Sequence, residues 1–385
     1  MAAIDTPKIP DLQGTQSKQT GVRRKRDRQE DIFIATQWTL MWRKFRKHKL
    51  AMFGTLVVAL FYLVAIFCEP VATHDPLKRS TDFIHVPPQS VHWFGPNGFG
   101  PYVYSLTLTE DPITWKKNYA EDPTVATPLR LFTKGDPYQL WGLIETDIHL
   151  FGAAEGSFYL LGTDESGRDM FSRIIYGIRI SMSIGLVGVA FTFILGSVLG
   201  AISGYYGGVI DFAIQRIIEF ILSMPSIPLW MSLSAALPKE WPPTQVYFMI
   251  SIILSLIGWC GLARVVRGKM LELREEDYIS AAKLAGASDM HVIFDHMLPG
   301  FISYLIVNLT LSIPGMILAE TSLSFLGIGL RAPAISLGVL LQQAQNVRTI
   351  ALQPWLMLPG VAIFIIVLAF NFMGDGLRDA ADPYK

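Results

Sequence analysis

Charge is scarce in this chain. Of its 385 residues only 17% are Asp, Glu, Lys or Arg, while 51% are hydrophobic; soluble domains carry roughly 25% charged residues. Acids and bases number 32 each, so no bulk field points to nucleic acid. Cysteine is nearly absent. Cys68 and Cys260 are the only two, and the order of apolar runs puts them near opposite faces of a bilayer, which excludes a disulfide framework. Catalytic signatures are missing too: no HExxH, GxSxG or CxxC occurs. Gly268-Lys269 superficially matches a phosphate loop, but Ala263 stands where its first glycine belongs and Met270 replaces the Ser or Thr. His74, His85 and His92 fit no metal-ligand spacing. No internal repeat stands out. An enzyme is not expected, nor a metal or cofactor held by this chain.

What the chain has is long apolar runs. A hydrocarbon core of about 30 Å takes roughly 20 apolar helical residues, and six runs qualify, at 50–68, 180–203, 212–236, 246–264, 301–319 and 355–373. The expected fold is an all-α, polytopic membrane protein of six transmembrane helices. The first run starts only near Leu50, behind a polar segment, as an uncleaved anchor does. Residues 1–49 read as a basic tail, with Arg23-Arg24-Lys25-Arg26, ending in an amphipathic helix. There Trp38, Met41, Trp42 and Phe45 recur at i, i+3, i+4, i+7 among Arg and Lys. Such a helix is expected to lie against lipid headgroups. The basic residues ahead of the first run place the N-terminus in the cytoplasm, and six crossings return residues 374–385 there as a tail. The stretch 69–177 then lies outside the cell. It is acid-rich, and its alternating runs Tyr102–Thr109 and Leu129–Leu140 predict an insertion with β-structure. Residues 178–373 form a five-helix core.

Within that core, Gly196, Gly200 and Gly204 fall at i, i+4, i+8, small residues that let helices approach closely in lipid. Arg216 and Glu219 sit near the start of the third run and Pro225 and Pro228 near its middle. The charged pair belongs either to a translocation path or to a structural ion pair, and the prolines are expected to kink the helix. Residues 265–300 are charged although apolar runs flank them. They predict a helix ending at Ala285-Gly286-Ala287-Ser288 and a second ending at Leu298-Pro299, a rigid elbow at the cytoplasmic surface suited to docking another protein.

The elbow's pattern, Tyr278-x-Ser280-Ala281-Ala282-x-x-x-Gly286-Ala287-Ser288 followed by Ile293 and Leu298-Pro299, resembles the cytoplasmic signature of permease subunits in binding-protein-dependent ABC importers. That signature usually has glutamate where Ser280 stands, a serine able to cap a helix. Leu161-Gly162-Thr163-Asp164, Gly167-Arg168-Asp169, Ser172-Arg173, Tyr176-Gly177-x-Arg179-Ile180-Ser181, Glu320-x-Ser322-Leu323-Ser324-Phe325-Leu326-Gly327 and Gly374-Asp375-Gly376-Leu377-Arg378-Asp379 resemble the dipeptide, oligopeptide and nickel branch. With the basic tail, they resemble the second permease of its usual pair. The likeness covers residues 40–75 and 160–385. It implies a bacterial or archaeal cytoplasmic membrane and a pore shared with a second homologous permease. It implies two cytoplasmic ATPases that use ATP and Mg and receive the helix at 277–290, and an extracytoplasmic binding protein that delivers a peptide-like solute. Oligosaccharides, nickel chelates and opines are alternative cargoes. A self-sufficient secondary transporter, the rival reading, has no use for such an elbow.

Overall fold

The computed structural model describes residues 37–95, 98–110, 117–153, 156 and 158–382. The basic run at 23–26 lies outside the described residues. The described chain begins with α1 (Gln37–Phe45) and a long apolar helix, α2 (Lys49–Ile66), followed by one turn, α3 (Cys68–Val71). The insertion then forms a single antiparallel sheet in the order β1 (His92–Gly95), β2 (Gly98–Glu110), β3 (Lys117–Leu140) and β4 (Ile144–Ala153). Its β3 is long enough to pair with β2 through its first half and β4 through its second. The alternation at 102–109 and 129–140 therefore does fold as strand.

Helices follow to the end: α4 (Met170–Tyr206), α5 (Gly208–Ser223), α6 (Ser226–Ala235), α7 (Pro243–Arg274), α8 (Asp277–Leu284), α9 (Ile302–Phe325), α10 (Leu337–Gln342), α11 (Val347–Leu352) and α12 (Leu358–Ala381). Among the described residues five helices, α2, α4, α7, α9 and α12, are long and apolar enough to cross a membrane alone, and α5 with α6 makes a sixth only as a pair bent by 88°. The expected kink at Pro225 is a break instead. A residue before proline avoids the helical region, and Met224 is extended at φ −88°, ψ 137°. With Pro225 at the cap of α6, the helix restarts in a new direction.

The pair nonetheless carries the chain from one end of the bundle to the other. The C-terminal ends of α4 and α7 meet where Arg274 donates to the Tyr205 carbonyl at 3.3 Å. The start of α7 lies instead near residues 328–334, with Val246 and Leu330 in one cleft, at the sheet-bearing end. Six passages result, with residues 37 and 382 both at the end that carries α8.

Two boundaries move. The helix expected from residue 180 starts at Met170, because Asp169 caps it, its carboxylate accepting from the Ser172 N–H at 2.8 Å. The helix spans 37 residues, about 55 Å at 1.5 Å per residue, and so projects beyond the bilayer. The expected C-terminal tail is helix through Ala381. Gly376 lets α12 lie directly on Ala51 and Phe45, and Ala380 joins the cluster of Met41, Phe45 and Ala51. This contact also divides the stripe of α1. Met41 and Phe45 are buried against α12 while Trp38 and Trp42 stay exposed, so only half of the stripe is free for headgroups.

The main core joins α2, α4, α7, α9, α10 and α12. On α4, Gly196 faces Leu262, Gly200 faces Ala263 and Val266, and Gly204 faces Arg267 and Met270, all on α7. A methyl group at Gly200 would come within 2.6 Å of the Ala263 carbonyl oxygen. The three glycines thus set how close α4 and α7 lie.

Candidate functional site

The elbow between α7 and α9 is built from a short helix, a sharp break and a wound return. Helix α8 ends by two hydrogen bonds, Gly286 N–H to the Lys283 carbonyl at 3.0 Å and Ala287 N–H to the Ala282 carbonyl at 3.1 Å. This double closure is the Schellman motif, which needs a left-handed residue. Gly286 supplies it at φ +86°. No atom lies within 4 Å of where a Gly286 side chain would start, so backbone conformation, not crowding, demands glycine here.

Ser288 then caps the return, its hydroxyl accepting from the His291 N–H at 3.4 Å. Ser280, the serine expected as a possible cap, lies exposed in the middle of α8, whose cap position is Glu276. The return runs as Asp289–His291, a π-turn Val292–Met297 and Leu298–Gly300. Leu298-Pro299 is therefore not the stop that was expected. Proline lacks a donor and crowds the preceding turn, and the chain meets this by widening to π geometry before Pro299. The helical winding ends at Phe301, at φ −129°.

One side of the elbow is welded to the bundle. Ile279, Val292, Ile293 and Met297 are buried with Tyr205 of α4, Val266 and Met270 of α7, and Leu305 of α9. The Tyr205 hydroxyl donates to Asp289 at 2.6 Å, and the Lys283 ammonium lies over the Tyr205 ring at 4.7 Å. Nearby, Asp211 of α5 accepts from Arg267 at 2.5 and 2.6 Å and from the Ser203 hydroxyl at 2.5 Å, which ties α4, α5 and α7 together.

The other side faces outward. Leu284 is 90% exposed and Met290 62%, with Tyr278, Ser280, Ala281, Gly286 and Phe294 exposed around them and Ala282, Ala287 and Leu298 half-buried beneath. A row of large apolar side chains held out on a stiff, internally bonded elbow can serve as a plug for a complementary cleft.

Arg216 and Glu219 form an ion pair at 2.9 Å on the exposed side of α5, and the guanidinium also lies over the Phe212 ring at 5.1 Å. That side continues through Phe220 to the break at Pro225. Sequence reasoning gave no role to Glu320. The structure buries it completely, its carboxylate accepting from Ser181 of α4 at 3.0 Å and from Ser324 at 2.8 Å. An acid inside an apolar run was the available signal. Tyr205 and Asp289 were missed because 84 residues separate them. Among the described residues no three His, Cys, Asp or Glu converge as metal ligands.

Two family descriptions match the chain: "binding-protein-dependent transport system inner membrane component" over residues 196–384 and "N-terminal TM domain of oligopeptide transport permease C" over residues 36–88. The "Dipeptide transport system permease protein DppC" of Alkalihalophilus pseudofirmus is 31% identical over 92% of this chain and 92% of its own. The protein of the same name from Bacillus subtilis is 29% identical over 89% and 84%. A chain from a solved structure of the MetNI methionine ABC transporter shares 20% identity over 55% of this chain and 97% of its own, with a TM-score of 0.41. A relative above 30% identity over nearly its full length, with both family descriptions in their proper order, places the chain among the inner-membrane permeases of binding-protein-dependent ABC importers, in the branch of the dipeptide and oligopeptide C-type permeases.

Proposed function

We propose that this chain is half of a pore for ATP-driven uptake of peptide-like solutes, and that its elbow is where ATP hydrolysis is felt. The observation that carries this is the exposed row of Leu284, Tyr278, Met290 and Phe294 on an elbow whose opposite side is buried against α4, α7 and α9. In this reading α8 seats in a cleft on a cytoplasmic ATPase, and two ATPase subunits serve two permeases. ATP and Mg act on those subunits and not here. Residues 37 and 382, which share the elbow's end, lie on the cytoplasmic side. The sheet is extracytoplasmic, on the side where a soluble binding protein delivers solute.

A second homologous permease covers the exposed side of α5 and α6. The Arg216–Glu219 pair and the break at Pro225 then border the shared pathway. Discontinuous helices at such places expose backbone polar groups to a water-lined route. When the ATPases close, two elbows move together, and the buried contacts of Ile279 and Tyr205 pass that motion to α4 as a rigid body.

The peptide reading rests on the names of the relatives. It is tested with the co-purified importer in vesicles, supplied with labelled dipeptides and oligopeptides and, for contrast, an oligosaccharide, a nickel chelate and an opine. ATP-dependent accumulation of peptide supports it. Accumulation of another class alone reassigns the cargo and leaves the elbow's role standing.

A further inference from the structure

The hairpin turn joining β3 to β4 stands out at the sheet-bearing end. It is tight, with the Leu143 N–H donating to the Leu140 carbonyl at 3.0 Å and both central residues left-handed, Trp141 at φ +53° and Gly142 at φ +70°. Bulky residues avoid that region, so this tryptophan is held there. Its indole N–H donates to the carbonyl of Ile66, the last residue of α2, at 2.8 Å, and its ring lies 5.7 Å from that of Phe67. The turn is thereby pinned to the end of a membrane-crossing helix.

Among the described residues nothing covers what the turn presents. Trp141 and Ile144 are more than half exposed and Leu143 is 82% exposed. The same holds for one face of α2: Leu56, Leu60 and Leu63 are exposed while Ala51, Gly54 and Val58 on the other face are buried, Gly54 lying against Ala369 and Phe372 of α12. At i, i+4, i+7 the exposed leucines form a stripe along the helix. It passes through Phe67 directly onto Trp141. On the opposite face of the hairpin, Gln139 donates to Glu145 at 3.1 Å, leaving the apolar residues to one side.

We propose that this turn is a lipid anchor. Trp141, Leu143 and Ile144 enter the outer leaflet beside α2 and hold the sheet at a set height over the mouth of the bundle. Continuity with the apolar stripe of α2 carries the assignment. Tryptophan at the end of a membrane span suits it, since its ring prefers the boundary between acyl chains and headgroups.

The test is a nitroxide label at Leu143→Cys in the full chain with Cys68→Ala and Cys260→Ala, reconstituted with its co-purifying subunits in phosphatidylethanolamine–phosphatidylglycerol vesicles. Collisions with apolar oxygen are compared with those of a water-soluble nickel complex. Labels at Leu63→Cys, on the stripe, and Lys134→Cys, on the sheet, calibrate lipid and water. An oxygen-dominated signal at position 143, close to that at 63, is the expected result. A nickel-dominated signal like that at 134 overturns the anchor. Shielding from both reagents also overturns it, in favour of a protein partner. If the cysteine-free background fails to assemble, the same label in a chain retaining Cys68 and Cys260, both buried, reports on the same position.

Discussion

The two ends of α4 are built on opposite plans. At its start, Asp164 is buried and accepts from the backbone of Ser166 and Arg168 and from the guanidinium groups of Arg168 and Arg173. Thr163 bonds the Phe83 carbonyl and the Val86 N–H, and Arg179 clamps Glu69 through two bonds of 2.7 Å. Most polar groups there are taken up by the chain itself, although Arg173 Nε and Asp169 Oδ1 find no partner among the described residues. At the far end, Tyr205 and Ile279 hold the elbow from behind while the side chains of Leu284, Met290 and Phe294 stand exposed. A dense buried network makes the first end a fixed mount. An open apolar row on a stiff support makes the second a contact waiting for a partner. In the proposed function a push passes from one side of the membrane to the other, and that needs both.

The contrast can be broken at its fixed end. Arg173→Met leaves Asp164 in the interior with only one guanidinium, and losing one hydrogen bond to a buried charged group costs about 1.5–3 kcal/mol. The expected outcome is a large drop in thermal stability in detergent, with low yield. An unchanged melting temperature would show that the network is not structural.

At the elbow a similar insult should act differently. Gly286→Arg forces a left-handed backbone on a side chain, at about 1–2 kcal/mol, in a place where space is open. The chain should still insert and fold, while uptake is abolished. Blotting of washed membranes together with a transport assay separates these two readouts.

Tyr205→Phe removes one hydrogen bond to Asp289, worth roughly 1 kcal/mol. Because the ring and its packing remain, stability should barely change. The coupling ratio of solute moved to ATP hydrolysed should fall, and that ratio is the measurement to make.

The smallest expected effect lies in the insertion. Burial alone would raise the Asp136 carboxyl, but the hydrogen bonds from Lys78 and from the Asp75 N–H outweigh it and hold it below its usual range. A depressed carboxyl stabilises the fold above the ordinary pKa of about 4 and loses that contribution as pH falls through the lower folded value. Protection against hydrogen exchange, corrected for the intrinsic rate at each pH, should fall across residues 75–78 and 134–149 at acid pH, and Asp136→Asn should remove that dependence.

How far the sequence alone reaches depends on the range of each interaction. Spans were legible because roughly twenty apolar residues in a row have few other uses. The elbow's break was legible because Gly286 and Ser288 act within one helical turn. Two of the insertion's strands, β2 and β3, followed from alternation, while β1 and β4 did not. Reading failed where the deciding partner is remote or the backbone has a choice. Pro225 said that α5 must bend but not that Met224 would turn fully extended. Pro299 looked like a stop, yet a π-turn absorbed it. The C-terminal tail looked polar enough to be free until Gly376 met Ala51 across the bundle. Ser181 and Glu320 are 139 residues apart, and only folding brings the hydroxyl to the carboxylate.

The central claim is that the outer side of the elbow is where the ATPases dock. It is tested most directly by a tagged pull-down from native membranes in mild detergent, weighing what accompanies the wild-type chain and Leu284→Asp. Position 284 is 90% exposed, so the substitution leaves folding untouched, while an anchor lost from the centre of an interface costs about 2 kcal/mol or more. The account predicts that the wild type brings down a second permease and ATPase subunits, and that Leu284→Asp keeps the permease and loses the ATPases. Retention of the ATPases at the wild-type ratio would contradict it.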